Sequence, residues 1–231
     1  MTAIRLASSS VTRLILVRHG ESNVTVNRVI GGPRTCSGLS DLGRRQAAAL
    51  AERWTARPEF SADVLISSQY PRAHETATII APSLGIDVAA IERDAGFGEH
   101  DPGPVCDGMS YDEFTRQFRD VAVGWDHQDP FATTFPDGET IAAFQFRVGN
   151  AVRGVLDRHE GRTVVVACHG GVIDATLRLA LKAPAMGAFE IHTVNTSVTE
   201  LLLAKPTTWR LVRYNDSAHL AGLPAHTEPT A

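Results

Sequence analysis

Two histidines stand directly after apolar runs, and they are the residues in this chain best suited to chemistry. His19 follows the run 14–17 by one residue, His169 follows the run 163–168, and a glycine comes after each histidine. Apolar runs of this kind predict buried parallel strands, and ligand crevices in open α/β sheets form at the carboxyl ends of such strands. We therefore predict one site that is assembled from two distant segments.

Two arginines accompany the histidines. Arg18 directly precedes His19, and Arg72 opens a predicted helix shortly after a strand that ends in Ser67. A guanidinium matches the charge of a phosphoryl group, and a helix N-terminus favours anions. A neutral imidazole nitrogen can attack phosphorus. These residue types together indicate phosphoryl transfer.

The elements that must position these residues alternate between strand and helix. Apolar runs predict strands over 13–17, 63–67, 88–91 and 163–168, and a closing antiparallel pair over 197–204 and 209–214. Periodicity and capping residues predict helices over 44–55, 72–81, 111–120, 139–159 and 172–181. This order predicts an α/β fold, a three-layer α/β/α sandwich around a mostly parallel central sheet.

We expect a single domain over residues 11–220, with loose tails at 1–10 and 221–231. The segment that follows the third strand, about 97–134, is predicted to form a lid of helix and loop over the site. Its aromatic residues either pack the lid on the sheet, which we favour, or contact an apolar substrate; they are Phe114, Phe118, Trp125 and Phe131.

Composition restricts the class of partner. The chain has 231 residues with 22 basic and 26 acidic side chains, so its net charge of −4 gives no field that would attract nucleic acid or a membrane. Three scattered cysteines without a C-x-x-C pair, and no long apolar run, predict a cytoplasmic protein. Cys168 is expected in the core, and a homodimer is compatible with the sequence. His100, His127 and His159 lack metal-ligand spacing, so we predict no metal site and no cofactor.

Six segments in the same order resemble the histidine phosphatase superfamily, whose fold is also called phosphoglycerate-mutase-like; they are 16–22, 39–47, 67–77, 135–140, 165–173 and 214–220. The resemblance implies that His19 is the nucleophile and becomes phosphohistidine. It also implies that Arg18, Arg72 and His169 bind the phosphoryl oxygens, and it leaves the protonation state of His169 open. Asn23 is a candidate phosphate donor, with a role in the turn as the alternative.

The resemblance further implies a carboxyl group that protonates the leaving oxygen and afterwards activates water. We choose Glu99, because it lies deep in a glycine-rich loop and Asp107 with its following glycine resembles the acidic–glycine pair expected downstream. Glu92 and Asp94 also stand four residues before a glycine, and they remain alternatives.

The function expected from these features is a metal-independent phosphomonoesterase that acts on a phosphorylated small molecule through phosphohistidine. The stretch after Ser22 lacks the aromatic–asparagine pair usual in mutases, which favours a phosphatase. Two alternatives stay open. One is phosphoryl transfer of the phosphoglycerate mutase type, and the other is a catalytically weak relative that binds phosphorylated ligands.

Overall fold

The computed structural model describes residues 11–124, 131, 135–186, 189–205 and 208–224. The expectations for the N-terminal tail, for most of the C-terminal tail, and for Trp125 and His127 fall outside these residues.

A six-stranded sheet runs through the described residues in the order β3-β2-β4-β1-β5-β6. The strands are β1 Thr12–Arg18, β2 Val64–Ser67, β3 Glu92–Arg93, β4 Thr163–Cys168, β5 Val198–Lys205 and β6 Thr208–Asp216. The first four in this spatial order pair in parallel, and β5 and β6 add an antiparallel edge. The mostly parallel sheet is therefore confirmed, and the run 163–168 has the predicted bounds.

Helices connect the strands and cover both faces of the sheet. The α-helices are α1 Asn23–Val26, α2 Asp41–Ala56, α3 Pro71–Ile80, α4 Gly103–Cys106, α5 Tyr111–Gln117, α6 Arg119–Gly124, α7 Ile141–Arg158 and α8 Gly170–Leu181. Hydroxyl side chains cap the two longest, α2 and α7: Ser40 accepts from the N–H of Gly43 at 3.0 Å, and Thr140 accepts from that of Ala143 at 3.0 Å. Among the helices of the described residues, none has both the length and the apolarity that crossing a bilayer requires.

Alternating residues of β1 divide the core into two layers. Leu14 and Leu16 pack with the apolar faces of α7 and α8, whereas Ile15 and Val17 pack with those of α2 and α3. The confirmed α/β sandwich follows from this alternation. Cys168 is fully buried in the α7/α8 layer, and burial raises the pKa of its thiol, so it is the core residue that the sequence predicts.

Two predicted elements are wrong. The segment 88–91 forms a 3-10 turn instead of a strand, because Asp87 accepts from the N–H of Ala89 at 2.8 Å and caps it. The third strand is the short pair Glu92–Arg93 at the sheet edge. The helix predicted over 111–120 is divided at Phe118, whose φ of −122° and ψ of 46° end α5 before α6 begins.

The segment after β3 carries α4, α5 and α6 and forms a small apolar cluster outside the sheet. Phe114 is buried there with Ile30 and Cys106, and Phe118 packs against them. Phe131 is 77% exposed. Within the described residues, the aromatic side chains of this segment therefore include both packed and exposed members.

Candidate active site

The two histidines are brought together by the pairing of β1 with β4. Arg18 lies opposite Cys168 in the parallel register, so the residues that follow each strand are neighbours. The N–H of His19 donates to the carbonyl of Cys168 at 2.9 Å, and the ring centroids of His19 and His169 are 5.0 Å apart. The structure therefore brings the two distant segments together, as the sequence predicts.

Arg72 joins the two imidazoles from the next strand. It lies in the first turn of α3, shortly after the end of β2, which is the other neighbour of β4. Its Nε lies 3.1 Å from Nε2 of His19 and 3.3 Å from Nδ1 of His169, and its Nη1 donates to the carbonyl of Gly31 at 3.0 Å. A buried guanidinium is thus centred between both rings.

The hydrogen bonds of His19 fix its tautomer. Nδ1 lies 2.7 Å from the carbonyl oxygen of Gly20, which can only accept, so Nδ1 carries the proton. Nε2 therefore has its lone pair available and accepts from Arg72. Asn195 holds the backbone at this point, because its Nδ2 donates to the carbonyl of His19 at 2.8 Å.

His169 is fully buried and electrically neutral. Its Nδ1 accepts from Arg72, so its Nε2 carries the proton and donates to Oγ of Ser68 at 2.8 Å. Burial, together with the charges of Arg72 and Arg18 and the neighbouring His19, holds the pKa of His169 well below its usual value. The protonation state that the sequence left open is therefore the neutral one in this structure.

A cavity of about 320 Å³ opens onto these groups. At one end, called the histidine end below, it is lined by Arg18, His19 and Arg72. The guanidinium of Arg18 donates to the carbonyl of Thr193 in the loop before β5. Six of the other lining residues are apolar, and together they are called the apolar end below: Val24, Val29, Ile30, Pro102, Phe114 and Phe135.

Glu99 borders this cavity through a loop that returns to the N-terminus of α8. Its two carboxylate oxygens accept from the N–H of His100 at 2.9 Å and from that of Gly171 at 3.1 Å. A Cβ on Gly171 would lie 2.3 Å from Oε1 of Glu99. Glycine is therefore required at position 171 for the carboxylate to approach the helix terminus.

The other two candidate carboxyl groups lie elsewhere. Glu92 is exposed, and its carboxylate is 3.7 Å from Nε2 of His159. Asp94 caps a 3-10 turn by accepting from the N–H of Gly96 at 2.8 Å, and it lies 3.6 Å from Arg158. Of the three candidates, Glu99 is the one that lines the cavity with His19.

Asn23 lies on the short helix α1, close to the cavity. Its Nδ2 is 3.4 Å from both the carbonyl and the hydroxyl oxygens of Ser37, so its side chain is directed to the neighbouring loop. On this stretch the cavity is lined instead by Ser22, Val24 and Thr25. These contacts of Asn23 fit the alternative role that the sequence allows, in the turn, and not a role as phosphate donor.

Arg147, on α7, is a residue that the sequence does not single out. Its guanidinium makes two bonds to the carboxylate of Glu139, at 2.9 and 2.7 Å. It also donates to the carbonyls of Gly96 and Gly98 at 3.0 Å each and to that of Glu99 at 3.2 Å. One side chain thus fixes the loop that carries Glu99.

His100 also lines the cavity, and its imidazole is hydrogen-bonded to the backbone. Its Nε2 lies 2.5 Å from the carbonyl of Glu139, and burial lowers its pKa. Within the described ranges, no three histidine, cysteine, aspartate or glutamate side chains converge in the manner of metal ligands.

Comparison with known proteins agrees with this geometry. A family model described as the histidine phosphatase superfamily (branch 1) matches residues 14–217. The chain belongs to this superfamily. The histidine phosphatase fold also accounts for the likeness to the solved structure of YhfR from Bacillus stearothermophilus. That structure has a TM-score of 0.77 and 28% identity, with 90% of this chain and 99% of that chain covered.

Curated relatives in the superfamily carry two kinds of name. Phosphoglycerate mutase-like protein 4 of Arabidopsis thaliana is 30% identical over 207 residues, which are 90% of this chain and 86% of the relative. Putative phosphoserine phosphatase 2 of Hydrogenobacter thermophilus is 29% identical over 191 residues, 82% of this chain and 88% of the relative. Proteins named as phosphatases and as mutase-like are thus both similar to this member of the superfamily.

Proposed function

We propose that this protein is a phosphomonoesterase that passes a phosphoryl group to His19 and then to water, without a metal ion. The observation that carries the proposal is the tautomer of His19. The Gly20 carbonyl fixes the proton on Nδ1, and the Nε2 lone pair lies next to Arg72 at the histidine end of the cavity. A nucleophile in this state needs no base to remove a proton before it attacks phosphorus.

In the first step, Nε2 of His19 forms a bond to phosphorus while the bond from phosphorus to the ester oxygen breaks. Arg18 and Arg72 balance the charge on the phosphoryl oxygens. When a phosphoryl group binds here, it replaces the imidazoles as the acceptor of the Arg72 Nε–H. Protonated Glu99 donates its proton to the departing alcohol oxygen.

In the second step, the Glu99 carboxylate accepts a proton from water as that water attacks phosphorus. The bond between phosphorus and Nε2 breaks, its electron pair returns to His19, and inorganic phosphate leaves. His169 contributes a donor if its tautomer changes, because the Ser68 hydroxyl can donate to Nε2 as readily as it accepts. His169 then presents Nδ1–H to a phosphoryl oxygen without requiring a charged imidazole.

The test is turnover of p-nitrophenyl phosphate by the wild type and by His19→Ala, with a trap for the covalent intermediate. We expect the variant to lose at least about 10³-fold in kcat. Rapid quenching with radiolabelled substrate is expected to give acid-labile, base-stable label on the wild type alone. The control is His159→Ala, since His159 lies at the far end of α7 near Glu92. Undiminished turnover by His19→Ala would refute the proposal.

The same preparation separates the two alternatives. Incubation with 3-phosphoglycerate that yields an isomer without net release of phosphate would indicate a mutase. Tight binding of orthovanadate with negligible turnover of a broad panel of phosphomonoesters would indicate a weak, ligand-binding relative.

We also propose that the protein acts in the cytoplasm. All three cysteines are free and buried, which supports a reducing compartment.

A further inference from the structure

The apolar end of the catalytic cavity faces the place where the alcohol of a bound phosphomonoester must lie. With the phosphoryl group at the histidine end, the rest of the substrate meets the other lining residues, six of which are apolar. The other polar side chains that line the cavity are the hydroxyls of Ser22, Thr25 and Tyr111, the carboxylate of Glu99, and the imidazole of His100, whose pKa is lowered by burial. Hydroxyl groups carry no charge to match a second anion on the substrate.

Two further cavities border Glu99, and each contains one arginine away from the histidine end. Arg178 lines a cavity of about 620 Å³, and its Nε donates to the Asp174 carboxylate at 2.7 Å. Its two terminal nitrogens donate to the carbonyls of Pro184 and Phe189 at 3.2 and 2.6 Å. Each of its three nitrogens therefore donates within the protein, and its charge is paired with Asp174.

Arg147 lines the third cavity, of about 580 Å³, and is engaged in the same manner by Glu139 and by loop carbonyls. The walls of this cavity also contain Asp101 and Asp137, which repel a substrate carboxylate. Among the described residues that line the three cavities, each guanidinium outside the histidine end is thus already paired with a carboxylate.

The arginines of the lid segment and of the loop after α1 do not change this balance. Arg116 and Arg119 are exposed on α5 and α6 and line none of the three cavities. Arg28 follows α1, and its guanidinium lies 4.0 Å from Asp112 with both side chains mostly exposed, where an ion pair is worth little. The sequence 125–134 contains two aspartates and neither lysine nor arginine.

We infer that the substrate is a phosphomonoester of an uncharged alcohol with an apolar body, and not of an alcohol that bears a carboxylate. This inference rests on the phosphatase function proposed above. A carboxylate placed in these cavities loses its hydration without gaining a cation, which is unfavourable. An apolar group instead covers the apolar end and is removed from water. Phosphoglycerate and phosphoserine, which carry carboxylates, are then poor substrates.

The experiment compares kcat/KM within matched pairs of substrates. Propyl phosphate and 2-carboxyethyl phosphate differ by one carboxylate, and benzyl phosphate adds an apolar ring. We expect propyl phosphate to exceed its carboxylated partner by about tenfold or more, and benzyl phosphate to exceed propyl phosphate by about tenfold. The wild-type ratios test the inference without any variant.

A pair of variants then tests whether the substrate preference arises at the wall of this cavity. Tyr111→Arg places a cation on the wall of the cavity, and we expect it to reduce the preference for propyl phosphate at least about fivefold. The control, Thr115→Arg, adds the same charge one turn further along α5 on an exposed position, and the wild-type ratio should persist. An unchanged ratio in a folded Tyr111→Arg protein would contradict the placement of the alcohol.

The outcomes separate this inference from the function on which it rests. Turnover with a preference for the carboxylated member of the pair would overturn the inference and leave the phosphatase intact. Absence of turnover on every substrate, p-nitrophenyl phosphate included, would overturn both.

Discussion

The two ends of the catalytic cavity differ in which parts of the chain build them. At the histidine end, Arg18 and His19 lie at the end of β1 and Arg72 follows β2, and the strand between them, β4, leads into His169 beside His19. At the apolar end, the walls come from α1, the loop after it, and the segment that follows β3, which packs as a small cluster outside the sheet. The nucleophile that we propose is therefore tied to the core of the fold, whereas the substrate preference that we infer depends on a separately packed cluster.

Loss of Arg72 should break the histidine end most severely. Arg72→Met keeps the volume but removes the donor shared by His19 and His169, so we expect kcat/KM to fall by about 10³-fold for every substrate, whatever its leaving group. The control is Arg93→Met, because Arg93 is exposed on the edge strand β3. Steady-state kinetics with p-nitrophenyl and benzyl phosphates measure both. A loss confined to one substrate would contradict a role on the phosphoryl group.

Arg147 holds the loop that carries Glu99, so its loss should act through Glu99. In Arg147→Met the carbonyls of the 96–99 loop lose their donor, so we expect about a tenfold fall in kcat on propyl phosphate. Little change is expected on 2,4-dinitrophenyl phosphate, whose leaving group needs no proton. The double variant with Glu99→Gln should be no worse than Glu99→Gln alone. Additive losses, or equal losses on both substrates, would show that Arg147 does not act through Glu99.

At the apolar end, Phe114→Leu should change recognition without changing chemistry. Phe114 is buried against Ile30 and Cys106, so truncation should lower the free energy of unfolding by about 1–2 kcal/mol. We expect KM for benzyl phosphate to rise about threefold while kcat stays within twofold. The control is Phe146→Leu, at a position 72% exposed on α7. A large fall in kcat would mean that the two ends are not separable.

His219, which supports the backbone of the histidine end through Thr196, should also make the free energy of unfolding depend on pH. Burial lowers the pKa of His219 to about 4, and its Nε2 is hydrogen-bonded to Thr196, whose N–H donates to the Arg18 carbonyl. The unfolded chain, with a histidine pKa of about 6.5, binds the proton first, so stability falls as the pH drops below that value. Between pH 7 and 5.5 we expect a loss of about 1 kcal/mol from this group.

His219→Gln provides the measurement for that prediction. Urea denaturation of the variant should show a shallower fall in stability between pH 7 and 5.5 than that of the wild type. An equal slope would mean that His219 is accessible to protons in the folded state.

The central strands of the sheet could be predicted from the sequence because each is marked by a local run of apolar residues. The apolar runs before His19 and His169 are long, and strands of a parallel sheet are buried on both faces, so their ends could be placed to within a residue. The edge strand was mispredicted because it pairs on one side for two residues only, and the apolar segment before it forms a capped turn.

The residues that support the site were harder to find. Asn195 and Thr193 lie in a loop without periodicity, and their contacts with His19 and Arg18 join positions that are about 175 residues apart. Arg147 has the spacing of an ordinary polar position on a helix. Its bonds to the loop of Glu99 depend on how α7 packs, which no local pattern shows. Glu99 itself could be chosen over Glu92 because it lies deeper in the glycine-rich loop and because Asp107 and Gly108 resemble the acidic–glycine pair expected downstream.

The parallel pairing of β1 with β4 has a consequence for how this protein can change over evolution. Neighbouring strands in any sheet lie about 4.8 Å apart, and the two imidazole rings are separated by 5.0 Å, nearly the same interval. The spacing of the reactive pair is thus inherited from backbone geometry common to all sheets. Changes in the segment that begins at α4, after Glu99, can therefore alter the apolar end while the distance between the two imidazoles stays constant.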